Sequence, residues 1–259
     1  MMQTSDVQAA AHWAGLATPS IVLHRLDGTY RVNIRLDDHH ALYPASMIKT
    51  PLAAAALSLV ERGALHLDQR ISVAQSNMTT NDKPSPFVAG YEGSLSQYLE
   101  LMITRSDNVA TNQLFDVVGR ERATAIVQEM GLKLTAFHRK LSGSEPLIVD
   151  PQTTGRNTHP ATDAALLFEM IATDAIPFAS LLREILGRQE WNDQLSSGLR
   201  PGDRFAHKTG ATDEVSHDGG LLDTREGPSY IIVVYTGLPS TPDNDRRFGA
   251  FMRALRPLL

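Results

Sequence analysis

One segment of the chain, Tyr43-Pro44-Ala45-Ser46-Met47-Ile48-Lys49-Thr50-Pro51, leads directly into an apolar run at residues 52–60. The run predicts a helix that begins near Ser46, extends to about Arg62 and stops at Gly63. Residues three apart lie on one face of a helix, about one turn from each other. Ser46 and Lys49 therefore place a hydroxyl beside a basic amine, near the unpaired N–H groups and positive dipole of a helix N-terminus.

This arrangement would suit an acylated serine, which needs a base for its proton and donors for an oxyanion. Taken alone, a serine three residues before a lysine is a weak motif, because the spacing often arises by chance. A serine at the start of a helix is also an ordinary N-cap. The functional interpretation therefore depends on the rest of the chain.

Length and composition are those of an ordinary globular protein. The 259 residues suffice for one large domain or two lobes, with 42% hydrophobic and 20% charged residues. The net charge of -5 and the lack of a basic patch argue against nucleic acid or an anionic membrane as the main partner. The chain has no cysteine, which excludes disulfides, thiol catalysis and thiolate metal sites.

The longest apolar run, at residues 52–60, is too short for a membrane span. The N-terminus, Met1-Met2-Gln3-Thr4-Ser5-Asp6, has neither the basic nor the apolar region of a secretory leader. We expect no membrane span, and the protein is either cytoplasmic or exported with a leader that was removed. The oligomeric state is left open.

Hydrophobic periodicity predicts strands at both ends of the chain and helices between them. Asp27-Gly28 is predicted as the hairpin turn between strands at 21–25 and 30–36. Residues 133–159 lack periodicity and are predicted as a long loop, a feature that is often functional. The other predicted elements are helices at 5–15, 95–103, 108–118, 120–130, 161–172 and 243–255, and strands at 204–209 (before a turn at Gly210), 217–222 and 230–235.

This order predicts an α+β fold in one domain, residues 1–259. We expect residues 1–45 and 200–259 to form a helix-flanked antiparallel sheet that is built from both chain ends. Residues 46–199 are expected to form a mainly helical lobe inserted into it.

Two further motifs follow the first one along the chain. Ser106-Asp107-Asn108 opens a predicted helix, and Lys208-Thr209-Gly210 ends a predicted late strand. Each has a simple structural explanation when taken alone, such as a helix N-cap for the first. Together, in this order and at these separations, the three motifs form a known catalytic signature. The chain resembles the penicillin-recognising serine hydrolases, with the β-lactamase/transpeptidase-like fold, and its spacing is most similar to that of class A β-lactamases.

The resemblance implies a role for each matching residue. Ser46 would be the nucleophile, with Lys49 as a candidate base for its proton, and Ser106 would pass a proton to the leaving nitrogen. Asn108 would hold the substrate amide and position Lys49, while the N–H groups of Ser46 and Ala211 would bind the oxyanion. Substrate-binding residues would be Asn108, Lys208, Thr209, Gly210, Ala211 and His217.

His217 comes nine residues after Lys208, where class A enzymes commonly carry an arginine that reaches toward the substrate carboxylate. A histidine could do this in part, and only when it is protonated. The alternative is a strand histidine that is paired with Asp218 or with the backbone.

The long loop departs from the family pattern. Class A β-lactamases use a loop glutamate, in an E-x-x-L-N pattern, to activate the water that clears the acyl-enzyme, and this pattern is absent. Arg139 resembles the family's loop arginine, but the expected glutamate position, two residues later, holds Leu141.

Two other loop carboxylates are candidates for this role. Glu145 lies 12 residues before Asn157, which matches the family's loop anchor, and Asp150 is the second candidate. Asn112 matches the helix residue that usually contacts the glutamate. Either carboxylate could instead be simply solvated.

We therefore expect a serine hydrolase of the class A β-lactamase type, which forms an acyl-Ser46 intermediate on a small-molecule β-lactam or D-alanyl-type substrate. No metal and no organic cofactor are expected, since Asp37-Asp38-His39-His40 is better interpreted as a solvated turn than as a metal site. The alternatives are a D-Ala-D-Ala peptidase or esterase, a serine glutaminase, and a penicillin-binding domain with slow or no deacylation.

Overall fold

The computed structural model describes residues 2–26, 33–143 and 147–259. The hairpin turn predicted at Asp27-Gly28 and the candidate base Glu145 lie outside the described residues.

A five-stranded antiparallel sheet contains strands from both ends of the chain, as predicted. Its strands occur in the order β2-β1-β7-β6-β5, so the N-terminal pair lies directly beside the last strand of the chain. A separate pair, β3 and β4, forms a small antiparallel ribbon. The strands are β1 (Ser20–Arg25), β2 (Asn33–Leu36), β3 (Arg70–Ser72), β4 (Glu92–Ser94), β5 (Arg204–Ala211), β6 (Ser216–Asp223) and β7 (Ser229–Thr236).

Helices cover both faces of the sheet because its strands are apolar on both sides. Ile21 and Leu23 contact the cluster formed with the first and last helices, whereas Val22 between them belongs to the larger core on the other face. The helices are α1 (Thr4–Trp13), α2 (Lys49–Glu61), α3 (Leu95–Thr104), α4 (Asn108–Val118), α5 (Arg120–Glu129), α6 (Ala161–Ala172), α7 (Ala179–Leu186) and α8 (Pro242–Leu255). The structure confirms the predicted α+β, β-lactamase/transpeptidase-like fold.

The central helix, α2, is buried along most of its length. Small alanine side chains in its sequence allow neighbouring helices to approach closely, and α2 contacts α3, α4 and α5. In the part of the chain that the structure describes, no helix is long and apolar enough to cross a bilayer.

Two local predictions were wrong. Ser46 does not lie in the α-helix, because residues Ala45–Ile48 form a separate 3-10 turn and α2 begins only at Lys49. The chain also does not turn at Gly210, since β5 continues to Ala211 and Gly210 pairs with His217 of β6. The turn follows at Thr212, whose N–H donates to Val215 O at 2.9 Å.

Candidate active site

The turn that carries Ser46 is held against strand β5. Ala45 has a φ of +46°, a left-handed conformation that is unfavourable for alanine and that survives only when surrounding structure enforces it. A Cβ added at Gly210 would lie 2.9 Å from Pro44 O and 3.1 Å from Met47 Cγ. Glycine is therefore needed here because β5 passes very close to the turn, and this contact fixes Ser46 beside the strand.

Lys49, in the first turn of α2, is fully buried. Its Nζ donates to Ser106 O at 2.5 Å, to Ser106 Oγ at 3.0 Å and to Asn108 Oδ1 at 2.8 Å. Burial lowers the pKa of Lys49 from 10.5 to about 7, although the carboxylates of Asp107 and Asp82 partly oppose the shift. A substantial fraction of this amine is therefore neutral near pH 7 and able to accept a proton.

Ser106 lies in the short connection between α3 and α4. Its φ is +60°, and the next residue, Asp107, caps α4 by accepting the N–H of Ala110 at 2.8 Å. The structural interpretation of this motif as an N-cap is therefore also correct. The cap and the left-handed serine together turn the Ser106 hydroxyl toward Lys49.

Asn108, the third residue of the motif, is held on both sides of its amide. Its Nδ2 donates to Thr80 O at 3.1 Å, and its Oδ1 accepts from Lys49. The backbone N–H of Asn108 donates to Asn81 Oδ1 at 2.5 Å. These contacts join the connection between β3 and β4 to the start of α4.

Lys208 approaches Ser106 from strand β5. Its Nζ donates to Ser106 Oγ at 3.1 Å and to Thr209 O at 2.9 Å, and its side chain is fully buried. Burial and the neighbouring Lys49 lower the pKa of Lys208 well below 10.5. One hydroxyl thus accepts hydrogen bonds from two buried amines that come from opposite ends of the sequence.

Two adjoining cavities meet at Ser46, which is itself half-buried. The first has a volume of about 400 Å³ and the second of about 490 Å³. Both include Ser46, Asp82, Ala211 and Thr212 in their walls. The first is completed by Ser106, Trp191, Asp193, Gln194, Thr209, Ser240 and Asp245, and the second by Tyr43, Ala45, Asn108, Leu141, Ser142, Gly143, Leu147 and Asp213.

His217 does not reach into either cavity. Its ring is fully buried, lies stacked on Tyr235, and places Nε2 2.8 Å from Tyr43 O. The N–H of Thr236 donates to Nδ1 at 3.2 Å, which fixes the proton on Nε2. Burial lowers the pKa of His217 to about 4, so the ring is neutral near pH 7. This geometry does not support the expected charged contact with a substrate carboxylate and favours the alternative of backbone pairing.

The long loop is anchored by charged residues. Asp150, one of the two candidate bases, accepts from Arg120 Nη2 at 2.6 Å and from the N–H of Lys140 at 2.7 Å. Burial alone would raise its pKa, but the hydrogen bonds from Arg120 and Lys140 lower it below 3.8. Because its oxygens already bind the loop to α5, Asp150 is unsuited to activate water beside Ser46.

Two asparagines also anchor the loop. Asn157 accepts from the N–H of His138 at 2.7 Å and of Arg139 at 3.0 Å, as expected of a loop anchor. Asn112 binds both backbone groups of Leu141, each at 2.8 Å. Leu141 therefore occupies a fixed position in the wall of the second cavity. Arg139 was expected to be the loop arginine, whereas the arginine that pairs with Asp150 is Arg120.

Sequence reasoning missed several residues in the cavity walls. Asp82, Gln194 and Asp245 belong to no motif, and Trp191 would ordinarily be interpreted as a packing residue. Trp191 instead lines the first cavity, with Lys83 Nζ 4.3 Å from its ring centroid.

The tetrad at residues 37–40 includes Asp38, which pairs with Arg35 at 2.8 Å. Among the described residues, no three His, Asp or Glu side chains are grouped as metal ligands.

Comparison with known proteins identifies one family for this chain. The model of a family described as the beta-lactamase enzyme family matches residues 4–255. The extended-spectrum beta-lactamase PER-1 of Pseudomonas aeruginosa is 27% identical over 206 residues, which are 73% of this chain and just under two thirds, 66%, of that protein. Beta-lactamase L2 of Stenotrophomonas maltophilia is 29% identical over 216 residues, 79% of this chain and 68% of that protein. The solved structure of PBP-A superposes with a TM-score of 0.85 at 25% identity, covering 98% of this chain and 96% of that one.

Proposed function

This chain belongs to the beta-lactamase enzyme family, and we propose that it is a class A-type serine β-lactamase, which opens the β-lactam amide through an acyl-Ser46 intermediate. The observation that carries the proposal is the double hydrogen bond from Lys49 and Lys208 to Ser106 Oγ, at 3.0 and 3.1 Å. These contacts connect a base beside the nucleophile with a hydroxyl that can protonate the leaving group.

In the acylation step, Ser46 Oγ attacks the lactam carbonyl carbon while its proton passes to the neutral amine of Lys49. The carbonyl oxygen becomes an oxyanion, for which the N–H groups of Ser46 and Ala211 are the proposed donors. The tetrahedral intermediate then collapses, and the bond from the carbonyl carbon to the ring nitrogen breaks.

The leaving nitrogen needs a proton as that bond breaks. Ser106 Oγ is the proposed donor, and the hydroxyl recovers its proton from the ammonium of Lys49 through the 3.0 Å hydrogen bond between them. Lys208 holds the same hydroxyl in place, and Thr209, beside it in the cavity wall, is available to bind the substrate carboxylate. In deacylation, water attacks the carbonyl carbon of the Ser46 ester, the bond from that carbon to Ser46 Oγ breaks, a proton of the water returns to Oγ, and the acid product is released.

Deacylation also needs a base for the attacking water. Leu141 stands where the family carries a glutamate, Asp150 is held by Arg120, and Glu145 remains the candidate from the sequence. The leucine gives a specific reason to test an alternative, a penicillin-binding domain that is acylated at Ser46 but hydrolyses the acyl group slowly.

A chromogenic cephalosporin, followed by absorbance and by intact-protein mass spectrometry, tests the proposal. We expect many turnovers per protein molecule and a transient adduct on Ser46 that is absent from Ser46→Ala. A single burst with a stable adduct would support the penicillin-binding alternative. The proposal would be abandoned if the wild-type protein formed no adduct and hydrolysed nothing.

A further inference from the structure

The strand that carries Lys208 has a buried pair of histidine and aspartate on its other face. His207 directly precedes Lys208 in β5, and its Nδ1 lies 2.7 Å from Asp218 Oδ1 of β6. The two side chains are 1% and 0% exposed. The sequence offered Asp218 as a possible partner of His217, but its carboxylate contacts His207 instead.

The strand register places this pair beside Thr209. Thr209 lies directly opposite Asp218, and His207 comes two residues before Thr209 in β5, so the three side chains share one face of the sheet. Thr209 lines the first cavity, where it is proposed to bind the substrate carboxylate. The charge of Asp218 is therefore located next to the proposed carboxylate site.

The carboxylate of Asp218 has a donor on each oxygen. Besides the contact of Oδ1 with His207, Oδ2 accepts the N–H of Leu195 at 2.9 Å. Burial and Lys49 lower the pKa of Lys208 well below 10.5, and the negative charge of Asp218 opposes this shift. The field of this buried carboxylate thus reaches the amine that bonds to Ser106.

Both ring nitrogens of His207 face oxygen acceptors. Nε2 lies 3.1 Å from Ser196 Oγ and 3.2 Å from Asn192 Oδ1. Asn192 Nδ2 donates to Gln189 O at 2.8 Å, which leaves Oδ1 turned toward the ring. Because an amide oxygen and a carboxylate can only accept, this arrangement suits the imidazolium, in which both nitrogens donate. His207 then supplies one positive charge beside Asp218.

We propose that His207 is a positioning residue for substrate recognition, whose imidazolium neutralises Asp218 and so leaves the positive charge of Lys208 available to the carboxylate of the substrate. This inference rests on the proposed function. Without the imidazolium, an uncompensated carboxylate would lie beside Thr209 and would repel an anionic substrate. The first cavity can tolerate little additional negative charge, because its wall already holds three carboxylates, Asp82, Asp193 and Asp245.

A chromogenic cephalosporin and the methyl ester of its ring carboxylate test this inference, because the two compounds differ in one negative charge. His207→Gln keeps a donor for Asp218 but removes the positive charge. We expect kcat/KM for the acid to fall about tenfold, mainly through a higher KM, as a buried charge near the site predicts. The same substitution should change kcat/KM for the methyl ester little.

A second substitution separates charge from packing. His207→Gln/Asp218→Asn removes both charges, so kcat/KM for the acid should return to within about threefold of the wild-type value. A purely structural role would not be rescued by a further change in the core. His159→Gln is the matched control, because His159 is equally buried but lines neither cavity, and it should not alter the ratio of acid to ester.

The wild-type protein provides a measurement that does not depend on the folding of any variant. The ¹⁵N chemical shifts of the histidine rings distinguish protonated from unprotonated nitrogens. We expect both nitrogens of His207 to be protonated at pH 7.

The outcomes separate this inference from the proposed function. A neutral His207 ring, an equal loss for acid and ester in His207→Gln, or no recovery on adding Asp218→Asn would each overturn the role of His207 and leave the serine mechanism intact. Equal kcat/KM of the wild type for acid and ester would do the same. If neither compound acylated Ser46 in the wild type, the proposed function would fail and this inference with it.

Discussion

Lys49 donates a hydrogen bond from Nζ to Ser106 Oγ at 3.0 Å, and this contact connects the first motif of the chain to the second. The hydroxyl also accepts from Lys208 at 3.1 Å. Burial lowers the pKa of Lys49 to about 7, and burial together with the nearby Lys49 lowers the pKa of Lys208 well below 10.5. Lys49 is therefore set up as a base at neutral pH, which a solvated lysine is not.

The acylation rate should depend on pH through Lys49. Burial lowers its pKa to about 7, so the amine is protonated below that pH and cannot take the proton of Ser46. We expect kcat/KM for a β-lactam to rise with pH and level off above about 7. Stopped-flow acylation between pH 5.5 and 9 measures this profile.

Lys49→Arg supplies the control, because it keeps a positive charge but removes a base that can be neutral near pH 7. Acylation should fall by about 100-fold, in the range typical of a lost general base, and the inflection near pH 7 should disappear. A wild-type profile that is flat across this range would contradict the assignment of Lys49 as the base.

Gly210→Ala should disturb the turn that carries Ser46 more than it disturbs the rest of the fold. The new Cβ would lie 2.9 Å from Pro44 O, so the strand and the turn must separate. We expect a loss of about 1–3 kcal/mol in the free energy of unfolding, typical of overpacking, and a larger proportional loss in acylation rate. Thermal melts and burst kinetics measure the two effects.

Gly237→Ala is the matched control for this substitution. A Cβ there would meet no atom within 4 Å, so neither stability nor acylation should change much. Equal effects of the two substitutions would show that the close approach at Gly210 does not position Ser46.

The order of the three motifs and the strands at both chain ends were predictable because each depends on residues that are contiguous in the sequence. The conformations of Ala45 and Ser106 were not, since left-handed backbone at these residues is enforced by packing between distant segments. The structural role of Gly210 was likewise not predictable from the local sequence. A glycine after a strand favours a turn, but here it is needed for a close approach that the local sequence does not reveal.

The walls of the site were the least predictable part. Gln194 and Asp245 meet at 3.0 Å although 51 residues separate them, and neither carries a local pattern. Arg120 likewise holds Asp150 from α5, whereas the family resemblance pointed to Arg139. Such pairs depend on tertiary contacts, which periodicity and motif spacing do not encode.

Asp150→Asn should loosen the long loop. It removes the carboxylate that pairs with the guanidinium of Arg120, whose side chain is 8% exposed, and leaves that group only the carbonyls of His138 and Gln152 as acceptors, at a cost of about 3 kcal/mol for a broken buried pair. The lowered Asp150 pKa stabilises the fold above the unfolded-state value, and this contribution is lost as pH falls through the folded-state value. Acid unfolding of Asp150→Asn should therefore depend less on pH than that of the wild type.

Limited proteolysis and thermal melts measure this effect. Glu129→Gln removes a comparable pair with Arg62 on the surface, where both side chains are more than half exposed, and should cost less than about 1 kcal/mol. Equal stability of Asp150→Asn and Glu129→Gln would contradict the anchoring role of Asp150.

Glu145→Gln tests the base that the sequence predicts. If Glu145 activates the deacylating water, the substitution should leave acylation intact and make the acyl-enzyme accumulate, because the amide cannot accept a proton. Mass spectrometry after mixing with a penicillin measures the lifetime of the adduct. Unchanged turnover would exclude Glu145 as the base.

Leu141→Glu should accelerate deacylation, whatever the outcome for Glu145. Leu141 lines the second cavity together with Ser46 and is 5% exposed, and Asn112 fixes its backbone through two 2.8 Å hydrogen bonds. A carboxylate placed there would border the ester of acyl-Ser46, and burial would raise its pKa toward the range of an effective general base. We expect the adduct lifetime to shorten at least about tenfold, also in the Glu145→Gln background. Leu141→Gln, which matches the size and hydrogen bonding without the basicity, should not shorten it, and equal lifetimes for the two variants would show that position 141 does not reach the attacking water.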